Sequence, residues 1–278
     1  MAMMHTTLVS TQQLADHLKA WRVFDCRHDL MKPELGEQQY RQGHIPGSLF
    51  AHMDRDLSAP KSGRNGRHPL PELSKFVQWM GAMGLKPSDQ IVCYDAANGS
   101  MAARLWWLLR WAGHPAVAVL DGGIAKWLKE GRPVDSAVPQ PKPTTYPGKE
   151  SLAVLDAPSL HKNLSSAVLV DARAPARWRG EHEPIDPVAG RIPGARNRFN
   201  LENLQPDGTF KSSAQLKREW EAAVGDIDPA ELIHYCGSGV AACHNLLAME
   251  VAGLAGGKLY PGSWSEWIAD PARPREKS

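Results

Sequence analysis

Leu232-Ile233-His234-Tyr235-Cys236-Gly237-Ser238-Gly239-Val240-Ala241 passes from a short apolar run, through a glycine-built loop, into a helical pattern that continues from Ala242 to Glu250. An uninterrupted apolar run of that length suits a strand buried on both faces, as in a parallel sheet. A strand feeding a helix is half of a βαβ unit, and open parallel sheets place their sites at the carboxyl ends of the strands. Cys236 stands at such an end. Gly237 and Gly239 admit backbone conformations that a β-carbon would forbid. Successive N–H groups can then turn inward as an anion nest, to which the helix N-terminus adds a partial charge of roughly +0.5. Negative charge on a sulfur atom, thiolate or persulfide, is stabilised there. A buried packing cysteine is the bland alternative, but packing alone needs no glycine cradle.

Outward from this loop the chain repeats itself. Val23-Phe24-Asp25-Cys26-Arg27 and Gly43-His44-Ile45-Pro46-Gly47 are answered by Leu169-Val170-Asp171-Ala172-Arg173 and Gly190-Arg191-Ile192-Pro193-Gly194. Gly122-Gly123 and Trp127 are answered by Gly262-Ser263 and Trp267. Matched landmarks in one order at nearly one spacing indicate a duplication. Between the halves, prolines at 133, 139, 141, 143 and 147 favour extended, semi-rigid chain. The expected organisation is a first domain at 5–130, a proline-rich linker at 131–149 and a second domain at 150–278. Each domain alternates apolar runs with helical patterns, so each is expected to be α/β, a doubly wound parallel sheet flanked by helices. In the first domain the residue matching Cys236, after Ile91-Val92-Cys93-Tyr94, is Asp95. A carboxylate cannot act as a sulfur nucleophile, so of these two matched positions only Cys236 is open to thiol chemistry.

Composition bounds the function from the other side. The 278 residues carry a formal net charge of +2, too near neutral to point to nucleic acid or an acidic membrane. No apolar run approaches the roughly 20 residues that span a bilayer, and Met1 to Thr7 shows no secretory pattern. The four cysteines form no Cys-x-x-Cys pair, and the 11 histidines show no helical pairing for metal. A reducing cytoplasm, with neither metal nor cofactor, is the expectation. Cys26, Cys93 and Cys243 read as core, and Trp106, Trp107 and Trp111 as packing on one helix. Gly63-Arg64-Asn65-Gly66-Arg67-His68-Pro69 reads as a solvated basic loop, and the tail from Pro271 to Ser278 as frayed.

Tyr40-Arg41-Gln42-Gly43-His44-Ile45-Pro46-Gly47, Leu259-Tyr260-Pro261-Gly262-Ser263-Trp264-Ser265-Glu266-Trp267 and the Cys236 loop together resemble the signatures of the two-domain rhodanese family, over essentially the whole chain. The loop itself is most similar to the mercaptopyruvate sulfurtransferase branch. The resemblance implies a double displacement: the Cys236 thiolate takes sulfur from a donor, and the persulfide passes it to a thiol, cyanide or thioredoxin-like acceptor. It implies that Ser238 assists proton transfer at the donor, that Gly237, Gly239, Val240 and Ala241 form the binding loop, and that Arg177 binds the donor. It also places His44 near a cleft, where a structural turn histidine is the alternative. The thiosulfate branch carries cations where this chain has Gly237 and Ser238, so the uncharged loop favours 3-mercaptopyruvate over thiosulfate. The mercaptopyruvate branch usually adds an arginine after Glu-Pro; here Ile185 follows Glu183-Pro184, leaving Arg179 and Arg191 as substitutes. A phosphatase of related fold would need an arginine six residues after the cysteine, where this chain has Ala242. A non-catalytic sulfur carrier remains the other alternative.

Overall fold

The computed structural model describes residues 4–278; Met1 to Met3, part of the stretch without a secretory pattern, lie outside them. The chain forms two compact units. The first comprises the residues up to Ala59, Pro71–Leu152 and Pro206–Thr209; the second comprises Pro60–Leu70, Ala153–Gln205 and Phe210–Ser278.

The first unit runs β1 (Leu8–Val9), α1 (Thr11–His17), β2 (Arg22–Asp25), α2 (Leu35–Gln42), β3 (Leu49–Phe50), α3 (Leu73–Ala82), β4 (Ile91–Tyr94), α4 (Ser100–Trp111), β5 (Val117–Leu120) and α5 (Gly123–Lys129). Its strands pair in the order β1-β5-β4-β2-β3, all parallel. The second runs α6 (Ala157–Lys162), β6 (Val168–Asp171), α7 (Pro175–Arg179), β7 (Arg196–Asn197), α8 (Ser213–Val224), β8 (Leu232–Tyr235), α9 (Val240–Val251), β9 (Lys258–Leu259) and α10 (Ser263–Trp267). Its strands pair in parallel in the order β7-β6-β8-β9, and a single parallel bridge from Val154 to Leu259 stands where β1 meets β5.

The apolar patterns explain these elements. β4 and β8 are buried along their whole length, as strands covered on both faces must be. α8 buries Leu216, Trp220 and Val224, one stripe at helical spacing, and Ser212 caps its start by accepting from the Gln215 amide. α4 and α9 are apolar nearly all round and lie within the core of their units.

The duplication extends to side-chain detail. Arg27 clasps Asp25 and donates to the Gly43 carbonyl at 2.7 Å; Arg173 clasps Asp171 and donates to the Gly190 carbonyl at 2.7 Å. The Ile45 amide donates to the Tyr94 hydroxyl and the Ile192 amide to that of Tyr235. Trp127 donates to the Pro133 carbonyl and Trp267 to that of Pro274, both at 2.8 Å.

Three local expectations change. Much of the stretch expected as a linker packs on the first unit: the Thr144 amide donates to Gly81, and Asp135 exchanges backbone bonds with His44. Proline removes donors, but the remaining amides still find carbonyls. The tail is held rather than frayed: Arg191 and Glu276 exchange backbone bonds and form an ion pair, and the Ser278 amide donates to Arg179. Gly63 to Pro69, read as a solvated loop, lies within Pro60–Leu70 of the second unit, where His68 meets the Cys236 loop.

Candidate active site

The strand β8 ends at Tyr235 and the helix α9 begins at Val240, so the four residues between them turn tightly around the Cys236 sulfur. Sγ accepts the amides of Ser238 at 3.4 Å and Gly239 at 3.1 Å. Gly239 closes the turn with φ +78°, and a β-carbon there would lie 2.4 Å from the carbonyl oxygen of Pro261. Only glycine satisfies both conditions. Cys236 is 3% exposed, so the sulfur sits at the floor of the site.

The segment Gly257 to Ser263 supports the loop from behind. The Cys236 amide donates to Ser263 Oγ at 3.1 Å, and that hydroxyl donates to the Tyr260 carbonyl at 3.0 Å. The Cys236 and Gly237 carbonyls accept the amides of Trp264 and Ser265. Ser263 has φ +55°, in the left-handed region, where the first unit has Gly123 at φ +57°. Backbone strain of this kind persists where surrounding bonds over-determine it, and here those bonds hold the Cys236 backbone.

Polar groups surround the sulfur. Ser238 Oγ lies 2.8 Å from His68 Nδ1, and both residues are buried. A methyl added at Gly237 would meet Arg67 Nη2 at 2.8 Å and Arg177 Nη2 at 3.5 Å, so two guanidinium groups occupy the space that a loop side chain would take. Arg67 reaches Asp186 Oδ1 at 2.5 Å, and Arg177 reaches Asp186 Oδ2 at 3.0 Å. Glu183 accepts from Arg177 Nε at 2.9 and 3.0 Å and lies 3.3 Å from Arg173 Nη1. Burial opposes its ionisation most, yet the bonds from Arg177 and from the Asp186 and Ile185 amides together hold its carboxyl below the usual range.

The first unit keeps the loop, with a carboxylate where the second has a thiol. Asp95 Oδ1 accepts the amides of Ala97 and Gly99, and Oδ2 those of Met101 and Ala102, at 2.9–3.3 Å. Burial raises its pKa, while those four amides pull the other way. The nest that holds sulfur in the second unit is filled here by the chain's own carboxylate.

Of the residues read from the sequence, the structure brings Cys236, Gly237, Ser238, Gly239 and Arg177 together. Val240 and Ala241 open α9, whereas the bonds to sulfur come from Ser238 and Gly239. His44 belongs to the first unit and is fully buried there, its Nδ1 2.8 Å from the Tyr40 carbonyl and its ring stacked on Tyr40. That is the structural role of a turn histidine, and it leaves no surface for a donor. Arg179 pairs with Glu181, and Arg191 stacks on Trp178 and pairs with Glu276, so neither takes the place of the arginine that Ile185 displaces. Cys26, Cys93 and Cys243 are buried. Among the described residues, Glu34, Glu37 and His52 are close enough to share an ion, but Glu37 is already paired with Arg41 and Arg55.

The sequence reading missed Arg67, His68, Glu183, Asp186 and Ser263. Arg67 and His68 lie 119 and 170 residues from their partners, so no local spacing connects them. The available signal was compositional: a glycine-rich run combining arginines with a histidine.

Comparison with known proteins agrees with this geometry. The description "Rhodanese-like domain" matches residues 10–130 and 156–270. A probable 3-mercaptopyruvate sulfurtransferase of Pseudomonas aeruginosa is 45% identical over 96% of each chain. A putative thiosulfate sulfurtransferase of Mycobacterium tuberculosis is 35% identical over 96% of this chain and 95% of its own. Among solved structures, the 3-mercaptopyruvate sulfurtransferase from Leishmania major superposes with a TM-score of 0.85 at 30% identity, covering 97% of this chain and 75% of that one. Among the described residues, no helix is long and apolar enough to cross a membrane.

Proposed function

The chain belongs to the rhodanese family, and from that premise we propose that it moves a sulfane sulfur from 3-mercaptopyruvate to a thiol or cyanide through a persulfide on Cys236. The observation that carries the proposal is the buried Cys236 sulfur receiving the Ser238 and Gly239 amides, with Ser238 bonded to His68. The Cys236 thiolate attacks the donor's sulfur. The new S–S bond forms as the C–S bond breaks, and its electrons pass into the carbonyl as an enolate. Ser238, backed by His68, supplies a hydrogen bond to that developing oxyanion. The enolate takes up the proton that the terminal persulfide sulfur gives up, so the products are pyruvate and Cys236–S–S⁻. An acceptor thiolate or cyanide then attacks the outer sulfur and restores the Cys236 thiolate. Arg177 presents its guanidinium to the donor carboxylate beside Gly237.

Thiosulfate is the second reading. The Mycobacterium tuberculosis relative favours it. A thioredoxin-like protein is the acceptor we favour for the cell. Four free cysteines fit a reducing compartment, which we take to be the cytoplasm.

Intact-mass measurement after brief exposure to each donor tests the proposal. One added sulfur atom is expected on the wild-type protein and none on Cys236→Ser. Loading that survives the substitution would remove Cys236 from the mechanism.

A further inference from the structure

The family's second donor arginine is absent at Ile185, and the sequence alone suggests a loop without charge. The structure places a cation there by another route. Arg67, from the segment that joins the second unit ahead of its main body, brings Nη2 to within 2.8 Å of where a Gly237 β-carbon would stand. Its backbone is fixed beside the loop, because the Arg67 amide donates to Ser265 Oγ at 3.0 Å. Its side chain is fixed by Asp186, whose two oxygens are divided between Arg67 and Arg177. Both guanidiniums are mostly buried, at 18% and 16% exposure, so solvent screens them little.

We propose that Arg67 supplies the second cation for the donor's carboxylate, and that Asp186, shared between Arg67 and Arg177, sets the preference for a singly charged donor over a dianion. This rests on the reading of Cys236 as the sulfur acceptor and adds to it the selection of donor charge. The formal charges decide the matter. Arg67 and Arg177 contribute two positive charges, Asp186 and Glu183 two negative ones, and Arg173 is balanced by Asp171. The set is neutral. A monoanion can engage one face of the paired guanidiniums through directed hydrogen bonds. A dianion such as thiosulfate must also bring a second charge against Asp186, with no net positive field to offset its desolvation.

The test is kcat/KM for 3-mercaptopyruvate and for thiosulfate, with cyanide as acceptor, in the wild type, D186N, D186E and R67Q. D186N makes the set net positive, so the thiosulfate-to-mercaptopyruvate ratio is expected to rise about tenfold; D186E, which keeps the charge, is expected to hold it within about threefold. R67Q makes the set net negative, so both donors weaken and the ratio is expected to fall about tenfold, with the mercaptopyruvate loss mainly in KM. If D186N does not fold, R67Q alone carries the test. A D186N ratio that stays put or falls overturns the proposal. So does an R67Q effect equal on both donors. Failure of the wild type to load sulfur onto Cys236 from either donor is a separate result, which removes the sulfurtransferase reading itself.

Discussion

Gly239→Ala is expected to cost about 2–4 kcal/mol of stability in the second unit and to slow sulfur loading about 100-fold. Gly239 has φ +78°, where an L-residue pays about 1 kcal/mol. The added β-carbon would lie 2.4 Å from the Pro261 carbonyl oxygen and 3.0 Å from its Cα, so the obstacle is backbone rather than a flexible side chain. Overpacking of that kind costs about 1–3 kcal/mol more. At about 3 °C per kcal/mol the melting temperature falls by about 6–12 °C. The rate loss follows because Gly239 provides one of the two amides bonded to the sulfur, and loss of one such donor at a developing charge commonly costs about 100-fold. Calorimetry gives the first number, and rapid-quench mass measurement of the Cys236 persulfide gives the second. Gly237→Ala is the internal control: the nearest atoms to its β-carbon are the ends of the Arg67 and Arg177 side chains rather than backbone, so its stability is expected within about 1 kcal/mol of wild type. A Gly239→Ala protein that melts and loads sulfur like the wild type would refute the cradle as described.

Ser263→Gly should separate stability from positioning. It relieves about 1 kcal/mol of left-handed strain while removing two hydrogen bonds of about 1 kcal/mol each, so the melting temperature should fall by only about 3 °C while loading slows about tenfold; equal loading rates would mean that Ser263 does not position Cys236. His234 predicts an acid limb. Neither ring nitrogen has a hydrogen-bond partner among the described residues, and burial pushes the imidazole down to about 3. Below pH ~6.5 the unfolded chain binds a proton that the native state refuses, so stability should fall by about 1.4 kcal/mol per pH unit, down to pH ~3. Urea unfolding across that range should show a shallower slope for His234→Leu, and parallel slopes would count against this origin. Asp95→Ala leaves four amides without their acceptor, those of Gly99 and Ala102 buried, so the first unit should lose about 2 kcal/mol while Cys236 still loads sulfur at 25 °C. Loss of loading in the folded variant would show that Asp95 does more than hold its own loop.

The parts of this protein legible in the sequence were those with local grammar. Leu232 to Ala241 announced a strand, a loop and a helix, because periodicity and glycine act within a few residues. The duplication was legible because it repeats Asp25-Cys26-Arg27 as Asp171-Ala172-Arg173, and these triplets make the same contacts. The charge of the site was not legible. An uncharged loop suggested an uncharged site, yet Arg67 fills the volume that Gly237 leaves open. Such a contact depends on where the sheet places distant segments, and composition cannot report it. His44 was ambiguous for the same reason: a histidine in a signature motif can serve a cleft or a turn, and only the fold shows it stacked on Tyr40 and buried.

The two loops differ in what makes them permanent. In the first unit, Asp95 is a built-in guest: its carboxylate can never leave, so the loop is set once, at folding. In the second, under the proposed mechanism, the guest is a sulfur whose charge and size change twice in every catalytic cycle. The Ser238 and Gly239 amides therefore belong to a surface that must grip and release without collapsing. The strained turn at Ser263 acts as the frame that keeps it open between visits. Hydrogen exchange at those amides should slow when Cys236 carries its extra sulfur and recover when an acceptor takes it, while the amides around Asp95 keep one rate throughout.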